Sequence, residues 1–507
     1  MKFQISKTDV GADVLLLGVF TSELESGAFS LENRGQNGTL LHKAHLDEFT
    51  GSVGQTSHHV PNPERGVARI VSFGLGSRAD FTLDTLRDSL TAAFKEAKRV
   101  RAKVIAFELP PLDGLGITAY QFGRAIAEYA GLVDYEINHF RTAAGGYKPV
   151  VHLEQVNVVS VASKDARALR RGLVDGRTLA ENTNLARNLS NSPANICTPM
   201  YLAGVAKKLV TAGKGRVKIR LMYRRELTRR GFGAYMAVAL ASTNEPVFIE
   251  LSYEPENPVN DEVLGFVGKS ITFDTGGADL KTAPGMRTMK CDMSGGAAVL
   301  GAFATIVSYK LPVRVKAFLP ATDNVVNGLM NLPGNVLTSL QGLTIEVDNT
   351  DAEGRLTLVD AIEWAKRCGV TRIIDVATLT GAMVVALGSV AAGAFGNHDE
   401  FTQLVVACGN NAGERLWQMP MFPEYARANE TPMADLKNSG GADFGAGSIT
   451  AAWFIRKFVG DTPWVHLDIA GPAYLGAENG VHPKGGTGFA TRTLVAVAEH
   501  FAQRSAA

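Results

Sequence analysis

Short apolar runs alternate with longer segments of helical periodicity along most of the chain, and this alternation limits the possible folds more than any other feature. Four apolar runs of strand length lie in the first third: VLLLGVF, ARIVSFGLG, KVIAFELP and NVVSVAS. Residues 83–100 and 120–132 lie between them and carry apolar side chains at helical spacing. Strands that alternate with helices predict an α/β layer.

The same alternation resumes after a break near residue 190. Residues 164–188 form a charged helical segment that ends at SNSPANICTP, where prolines and small polar residues stop a helix. Beyond it, strands are predicted at VFIELSY, VLGFVG, VKAFLPA, IEVDN, RIIDVATL and WVHLDIAG. Helices are predicted between several of them, at GGAAVLGAFATIVSY and LVDAIEWAKRC.

The length of the chain predicts more than one domain, because 507 residues exceed what a single hydrophobic core usually serves. We predict an N-terminal α/β domain over residues 1–165, a linking helix over residues 166–190 and a larger C-terminal α/β domain over residues 191–507. The larger domain is expected to contain a mixed sheet flanked by helices and to carry the functional site.

The overall charge does not draw the protein to nucleic acid or to a membrane surface. Fifty-one basic and fifty acidic side chains leave a net charge of +1. The four cysteines have no metal-binding spacing, the first residues do not resemble a signal peptide, and no apolar run reaches the length of a membrane span. We therefore expect a cytoplasmic protein with no membrane contact.

One segment, RVKIRLMYRRELTRRGFG, concentrates arginine. We interpret it as a strand followed by the solvated face of a helix. Nucleic-acid binding is the less favoured interpretation, because no interleaved aromatic residues or recognition motif accompany the arginines.

Two segments of the second half carry more charge than their apolar flanks explain. The first contains Lys269, Asp274, Asp279, Lys281 and Asp292, and the second contains Asp348, Asp351, Glu353 and Arg355. In each, an apolar strand runs into a polar, glycine-bearing loop that leads toward a helix, and open α/β sheets bind ligands at this edge.

Four of these acids suit a pair of divalent cations, since four carboxylates together offset about four positive charges. The competing interpretation is that the acids are helix caps and loop residues, which Asp often is. No HExxH motif or histidine-rich spacing decides between them. Spacing alone leaves both interpretations open.

A family resemblance favours the metal site. NTDAEGRL at 349–356 is, letter for letter, the signature of the leucine aminopeptidases, also called cytosol aminopeptidases. VGKSITFDTGG, the following LK and MKCDM are similar to the family's other metal-binding segment, and the likeness continues through ATLTGAMVVALG, GAGSITAAWF and WVHLDIAG. It covers the C-terminal domain nearly end to end, whereas the first domain is similar only in length and α/β pattern.

The resemblance implies a metal-dependent aminopeptidase with two Mn²⁺ or Zn²⁺ ions and a water activated between them. The implied metal ligands are Lys269, Asp274, Asp292, Asp351 and Glu353, with Asp274 and Glu353 bridging the two ions. A lysine ligand must be neutral, so the nearby ions would have to depress its pKa. Without the family, Lys269 would be interpreted as the partner of one of these acids in an ion pair.

The resemblance also implies catalytic groups. Lys281 corresponds to the lysine that polarises the scissile carbonyl and stabilises the oxyanion. Arg355 corresponds to the arginine that holds a bicarbonate ion, which acts as general base toward the water. Without the family, Lys281 would be a surface lysine and Arg355 a partner of Asp351 or Asp348.

Substrates and assembly follow from the same resemblance. Five positions correspond to the family's pocket for the first side chain: Met289, Thr378, Leu379, Gly381 and Ala470. Such an apolar pocket predicts peptides with a free N-terminus and a leucine-like, broad preference. We expect a homohexamer. The alternatives are a DNA-binding or regulatory protein on the same fold and a dipeptidase acting, for example, on cysteinyl-glycine.

The chain departs from the family pattern in two places. The segment DNVVNGLMNLPGNV, which begins at residue 323, differs from the usual ENMPSG and PGD motifs, with Leu332 and Asn335 at positions usually occupied by a basic residue and an aspartate. Asp279 stands where the family has a small polar residue. It is predicted either to pair with Lys281 and raise its pKa, or to point away from it.

Overall fold

The computed structural model describes residues 1–7, 9, 11–26, 48–59, 67–137, 140–441 and 443–503. The chain forms two compact units. The first comprises Met1–Glu181 and Glu478–Pro483, and the second comprises Asn182–Ala477 and Lys484–Ala507.

The first unit is built on a six-stranded sheet of order β1-β6-β5-β2-β4-β3. All neighbouring strands are parallel except β3, which pairs antiparallel with β4 at one edge. The strands are β1 (Lys2–Ile5), β2 (Val14–Phe20), β3 (Thr56–His59), β4 (Arg69–Gly76), β5 (Val104–Glu108) and β6 (Gln155–Val159).

The first unit also contains helices and a 3₁₀ turn. They are α1 (Thr21–Glu25), α2 (Leu83–Arg99), α3 (Ala119–Val133), a 3₁₀ turn (Ala143–Gly145) and the start of α4 (Ala166–Asn191), which continues into the second unit. Thr82 and Thr118 begin α2 and α3, and each side chain accepts a hydrogen bond from the backbone N–H three residues later. Buried phenylalanines such as Phe73 and Phe107 join sheet and helices in one core.

The second unit is built on a nine-stranded mixed sheet of order β16-β15-β18-β14-β9-β11-β8-β7, with β10 also pairing with β11. Its central strands β18, β14, β9 and β11 are parallel, and β15, β8 and β7 run antiparallel to their inner neighbours. The strands are β7 (Val217–Tyr223), β8 (Val247–Tyr253), β9 (Val263–Gly268), β10 (Ser270–Asp274), β11 (Arg314–Asn324), β14 (Arg372–Ala377), β15 (Ala392–Gly396), β16 (Leu416–Gln418) and β18 (Trp464–Asp468).

Two small sheets complete the strands of this unit. One has the order β12-β13-β17 and the other pairs β19 with β20. Their strands are β12 (Val336–Thr338), β13 (Thr344–Glu346), β17 (Leu436–Lys437), β19 (Tyr474–Leu475) and β20 (Gly485–Gly486).

Helices surround the large sheet of the second unit. After α4 they are α5 (Pro199–Ala212), α6 (Arg224–Arg230), α7 (Gly233–Val238), α8 (Ala283–Met286), α9 (Ser294–Tyr309), α10 (Glu353–Arg367), α11 (Gly381–Leu387), α12 (Asp399–Asn411), α13 (Gly447–Val459) and α14 (Thr491–Gln503). The 3₁₀ turns are Ala239–Ala241, Met289–Cys291 and Pro423–Asn429.

The predicted fold is confirmed: both halves are α/β, and the larger sheet is mixed and flanked by helices. The strand at IEVDN is β13, and among the described residues it pairs with β12 and β17 in a small separate sheet. Residues 289–309 are long and apolar enough to cross a membrane by length and composition. Most of this segment is buried, as in a core helix, so its length and composition are weak evidence for a membrane span.

Candidate metal centre

Charged side chains gather at the carboxyl ends of the parallel strands in the second unit. Lys269 directly follows β9, Asp274 is the last residue of β10, and Glu353 is the first residue of α10. Asp292 follows the 3₁₀ turn at Met289–Cys291, and Asp351 lies in the loop before α10. The fold therefore brings together acids that lie up to 79 positions apart in the sequence, from Asp274 to Glu353.

Lys269 joins two of the acids. Its Nζ lies 2.9 Å from Asp292 Oδ2 and 2.8 Å from Glu353 Oε1, and it donates a hydrogen bond to the Thr378 carbonyl at 3.0 Å. A β-carbon added at Gly354 would lie 2.6 Å from Lys269 Cε and 2.7 Å from its Nζ. Glycine at the second position of α10 thus leaves room for the lysine to reach Glu353.

Lys281 joins two acids on the other side of the cluster. Its Nζ lies 2.8 Å from Asp274 Oδ2 and 2.5 Å from Asp351 Oδ1. Gly276 makes the turn between Asp274 and Lys281 with φ +89°, and a β-carbon there would lie 2.9 Å from Asp351 Oδ1. Both the backbone conformation and this close approach require glycine.

The acids Asp274, Asp292, Asp351 and Glu353, named here the acidic cluster, fit divalent cations. Asp274, Asp351 and Glu353 each offer one oxygen within 4.8 Å of the others. Glu353 Oε2 is buried without a partner in the described residues, and Glu353 Oε1 and Asp292 Oδ2 are buried with the Lys269 ammonium as their partner. Buried carboxylate oxygens that lack donors are costly unless a cation compensates them, and hard dications prefer such oxygens.

Burial shifts three acids of this cluster, Asp292, Asp351 and Glu353, toward their neutral forms. It raises the pKa of Glu353 to about 7, with the charge of Asp274 adding to the shift. It also raises the pKa of Asp292 well above the usual range, and Asp274 and Glu353 act in the same direction. The pKa of Asp351 is raised by burial and by Asp274. Like charges enclosed together therefore oppose each other's ionisation, which a bound cation would relieve.

The pKa values of the two lysines are also raised, which favours their charged forms. Burial disfavours the ammonium of Lys269, but the charges of Asp292 and Glu353 outweigh it and raise the pKa. The same balance of burial against Asp274 and Glu353 raises the pKa of Lys281. In these contacts both lysines are ammonium ions, so Lys269 forms the ion pairs that its sequence context alone suggested.

Arg355 lies in the first turn of α10, two positions after Glu353, and is nearly fully buried. Its Nη1 donates to the Asn438 carbonyl at 2.6 Å, whereas its Nε is buried without a partner in the described residues. Burial lowers the pKa of the guanidinium to about 10, against the opposing charges of Glu353 and Asp468. A partly unpaired guanidinium beside the acidic cluster is suited to hold a small anion.

The predicted pocket residues lie beside the cluster. Thr378 follows β14, and its hydroxyl donates to Asp292 Oδ1 at 2.8 Å. Leu379 and Ala470 each donate a backbone N–H to Asp468 Oδ1 at 3.2 Å, so this buried acid joins their two loops. Gly381 begins α11, where an added β-carbon would meet open space.

Met289 begins the 3₁₀ turn that leads to Asp292 and is half-buried. Its backbone carbonyl accepts a hydrogen bond from Asp292 N at 3.2 Å. The substrate-binding role of Met289 and of the other four pocket positions stays a prediction.

The two departures from the family pattern have defined surroundings. Asp279 does not contact Lys281; its Oδ2 accepts hydrogen bonds from Thr350 N at 2.7 Å and Thr350 Oγ1 at 2.9 Å. In the altered segment, Asn324 donates to Asp274 Oδ1 at 2.8 Å, whereas Leu332 is exposed. The segment thus supports a cluster acid at one end and presents an apolar side chain to solvent further on.

Sequence reasoning missed Asn438 and Asp468. Asn438 Oδ1 accepts from Asp348 N and Asn349 N, and its Nδ2 donates to the Asn349 carbonyl at 2.7 Å. It therefore fixes the loop that carries Asp351. No local signal marks Asn438, whereas Asp468 could have been found as a charged residue at the end of an apolar strand.

The arginine-rich segment is a strand followed by a short helix, as expected. Arg220 and Arg230 both pair with Glu226, and both stack over Trp364 with their guanidinium carbons 5.2 and 5.3 Å from the ring centroid. These arginines make contacts within the unit, which gives the nucleic-acid interpretation no support.

Known proteins match both units. Residues 184–495 match the description "Cytosol aminopeptidase family, catalytic domain", and residues 16–144 match "Cytosol aminopeptidase family, N-terminal domain". A probable cytosol aminopeptidase of Alkaliphilus oremlandii is 37% identical over 500 residues, covering 97% of this chain and 98% of the relative. One from Thermosynechococcus vestitus is 38% identical and covers 96% of each chain.

Solved structures agree with these matches. The bottromycin maturation enzyme BotP in complex with Mn has a TM-score of 0.84 and 32% identity, covering 97% of this chain and all of that chain. A mutant of tomato leucine aminopeptidase has a TM-score of 0.85 and 32% identity, covering 99% and 96%. With both units matched over nearly their full length, this chain belongs to the cytosol aminopeptidase family and is a metal-dependent aminopeptidase, a hydrolase of the metalloexopeptidase class.

Proposed function

We propose that Lys269, Asp274, Asp292, Asp351 and Glu353 hold two divalent ions, Mn²⁺ or Zn²⁺. The observation that carries this proposal is the buried group of carboxylates around Glu353, whose Oε2 has no partner in the described residues and whose Oε1 shares Lys269 with Asp292. The approach of Asp274, Asp351 and Glu353 oxygens to within 4.8 Å of one another supports it. Mn in the structurally similar BotP complex agrees with this metal chemistry.

When bound, such ions supply a Lewis acid that acidifies a water molecule and polarises a peptide carbonyl. Lys281 is the group that stabilises the charge developing on the carbonyl oxygen. Its side chain is 18% exposed, so it can contact a substrate while Asp274 and Asp351 orient its ammonium. Because the charge on the carbonyl oxygen develops only in the transition state, Lys281 stabilises the transition state more than the bound substrate.

Arg355 holds bicarbonate, the proton acceptor for the attacking water. Its unpaired Nε supports this role, because a buried guanidinium with a free N–H offers a donor to an oxyanion. Asn438 fixes the guanidinium through its carbonyl and the neighbouring loop through its side chain. A bicarbonate ion held there by Arg355 would supply general acid–base chemistry for the attacking water and the leaving amine.

The substrates are peptides with a free N-terminus and a leucine-like first residue. The pocket formed by Met289, Thr378, Leu379, Gly381 and Ala470 accepts this side chain, and its apolar lining gives a broad preference. We further propose that the protein acts in the cytoplasm as a homohexamer, as the names of its relatives and the resemblance to the family suggest.

The test is hydrolysis of leucine p-nitroanilide by metal-stripped protein before and after Mn²⁺ or Zn²⁺ is added. We expect activity to return with metal and to fall by about 10³-fold or more in Glu353→Ala, since this acid offers an oxygen within 4.8 Å of those of Asp274 and Asp351. Folded Glu353→Ala protein with activity close to wild type would contradict the proposal. A panel of aminoacyl p-nitroanilides and cysteinyl-glycine then defines the preference.

A further inference from the structure

Two loops of the site meet at Thr350. The lysine loop, residues 275–281, runs from the end of β10 to Lys281. The acidic loop, residues 348–352, carries Asp351 and leads into α10. Thr350 is buried in the acidic loop, and its hydroxyl donates toward the Gly276 carbonyl at 2.7 Å. It also accepts a hydrogen bond from Asp279 N at 2.8 Å.

The Asp279 carboxylate adds contacts that a small side chain could not make. One oxygen, Oδ2, accepts both from Thr350 N at 2.7 Å and from Thr350 Oγ1 at 2.9 Å. The hydroxyl has a single proton, which it shares between this oxygen and the Gly276 carbonyl, so the backbone N–H is the donor that depends on Asp279.

These contacts lie next to the reacting groups. Asp279 is two residues from Lys281, and Thr350 immediately precedes Asp351. Lys281 N donates to the Thr275 carbonyl at 2.9 Å, which closes the lysine loop on itself. The ammonium of Lys281 in turn lies 2.5 Å from Asp351 Oδ1. A displacement of either loop therefore changes the distance between Lys281 and the acidic cluster.

We propose that Asp279 is a positioning residue that fixes the lysine loop against the acidic loop through Thr350, and so places Lys281 and Asp351 for the reaction. This inference rests on the proposed roles of Lys281 and Asp351. It assigns a structural purpose to a carboxylate at a position where the family resemblance predicts a small polar residue.

A purely electrostatic role for Asp279 is the competing explanation, and the geometry disfavours it. Among the described residues, the ion pairs of Lys281 are with Asp274 and Asp351. The charges that raise the pKa of Lys281 include those of Asp274 and Glu353. The carboxylate of Asp279 instead faces a backbone N–H and a hydroxyl of the acidic loop.

Three substitutions separate the two explanations. Asp279→Asn keeps one oxygen that can accept both hydrogen bonds but removes the charge, whereas Asp279→Ala and Asp279→Ser remove the acceptor at that distance. We expect kcat on leucine p-nitroanilide to fall about tenfold in the Ala and Ser variants with KM within twofold, since misplaced reacting groups act on the chemical step. The Asn variant should stay within about threefold of wild type.

Manganese titration of the metal-stripped proteins by calorimetry gives a readout that is independent of turnover. We expect the Ala and Ser variants to bind Mn²⁺ several-fold more weakly, because Asp351 is no longer held in place. The Asn variant should match the wild type. Asp348→Ala is the control, since it removes an exposed carboxylate from the same acidic loop without touching the contacts to Thr350; both of its readouts should stay near wild type.

Each outcome supports or overturns the inference. Ala and Ser variants that equal wild type in kcat and in Mn²⁺ affinity would show that the contact is dispensable. Equal losses in the Asn, Ala and Ser variants would favour a role for charge instead. If wild-type protein binds Mn²⁺ but hydrolyses no peptide substrate, the proposed function fails, and the Mn²⁺ titrations alone decide the role of Asp279.

Discussion

The two units share an architecture but differ at the carboxyl ends of their parallel strands. In the first unit, β2, β4 and β6 end at Phe20, Gly76 and Val159, and only β5 ends on an acid, Glu108. In the second unit, the corresponding edge carries Lys269, Asp468 and the cluster acid Asp274, and Lys269 pairs with the cluster acid Asp292. The same sheet edge is therefore nearly neutral in one unit and densely charged in the other.

This difference shows that a parallel sheet provides only the place for a site, and the residues after each strand provide the chemistry. Burying four acids next to two lysines is costly, and it raises the pKa of Glu353 to about 7. The first unit carries no such cluster among its described residues. The second unit tolerates this unfavourable burial of charge at the sheet edge where catalysis requires the charged groups.

The largest effect expected in this comparison of the two edges is on turnover. Lys281→Ala should lower kcat by about 10²- to 10³-fold, because it removes the cation that stabilises the developing oxyanion. Steady-state kinetics with leucine p-nitroanilide would measure this. Glu108→Gln, at the edge of the first unit, should leave activity per folded molecule within about twofold of wild type. Comparable losses of activity in Lys281→Ala and Glu108→Gln would contradict the difference between the two sheet edges.

A smaller effect is expected where the backbone makes room for the cluster. Gly354→Ala places a β-carbon 2.6 Å from Lys269 Cε, so we expect Lys269 to shift and both Mn²⁺ affinity and activity to fall about tenfold. Gly204→Ala in α5 is the matched control, since its β-carbon meets nothing within 4 Å. It should stabilise the protein by about 0.5–1 kcal/mol. Calorimetry and thermal melts would check both, and unchanged Mn²⁺ binding in Gly354→Ala would contradict the packing argument.

The third prediction concerns stability rather than activity, at a buried pair on two neighbouring strands of the large sheet. His466 on β18 lies 2.6 Å from Asp375 on β14, and both side chains are fully buried. Burial lowers the pKa of His466, but the charge of Asp375 outweighs it, so the pKa is raised. A raised pKa gives stability that is fully present below the ordinary histidine pKa near 6.5 and is lost as pH rises through the folded value.

His466→Gln should therefore lower the free energy of unfolding by about 3 kcal/mol at pH 6 and by less at pH 9. Urea midpoints of the metal-stripped proteins at several pH values would measure this. A difference that does not change with pH would show that the pair does not titrate in this window and that its role is packing alone.

Local patterns predicted most of the elements of the fold. The apolar run at β2 and the helical periodicity of α2 are signals that a single stretch of sequence contains. The strand predicted at IEVDN is present as β13, but the run does not indicate which sheet it joins, because its partner β17 lies about 90 residues away, at Leu436–Lys437. Sheet membership is a long-range property that the strand itself does not encode.

The site was only partly predictable for the same reason. The charged residues in and just before NTDAEGRL lie close together in sequence, so their grouping in one loop could be predicted. They are Asp348, Asp351, Glu353 and Arg355. The contact of Asp279 with Thr350 and the anchoring of the acidic loop by Asn438 depend on loops that meet only after folding. For Asp279 the sequence allowed two orientations, and the hydrogen-bond geometry selects contact with Thr350.

The most direct test of the charged edge is a crystal of the protein soaked in Mn²⁺ and measured at the manganese absorption edge. We predict two anomalous peaks per chain, both within ligand distance of the acidic cluster, with Asp274 and Glu353 contacting both. Glu353→Ala should lose at least one of them while the fold is retained. Full Mn²⁺ binding in solution with no peak at these residues would contradict the assignment of this edge as the metal centre.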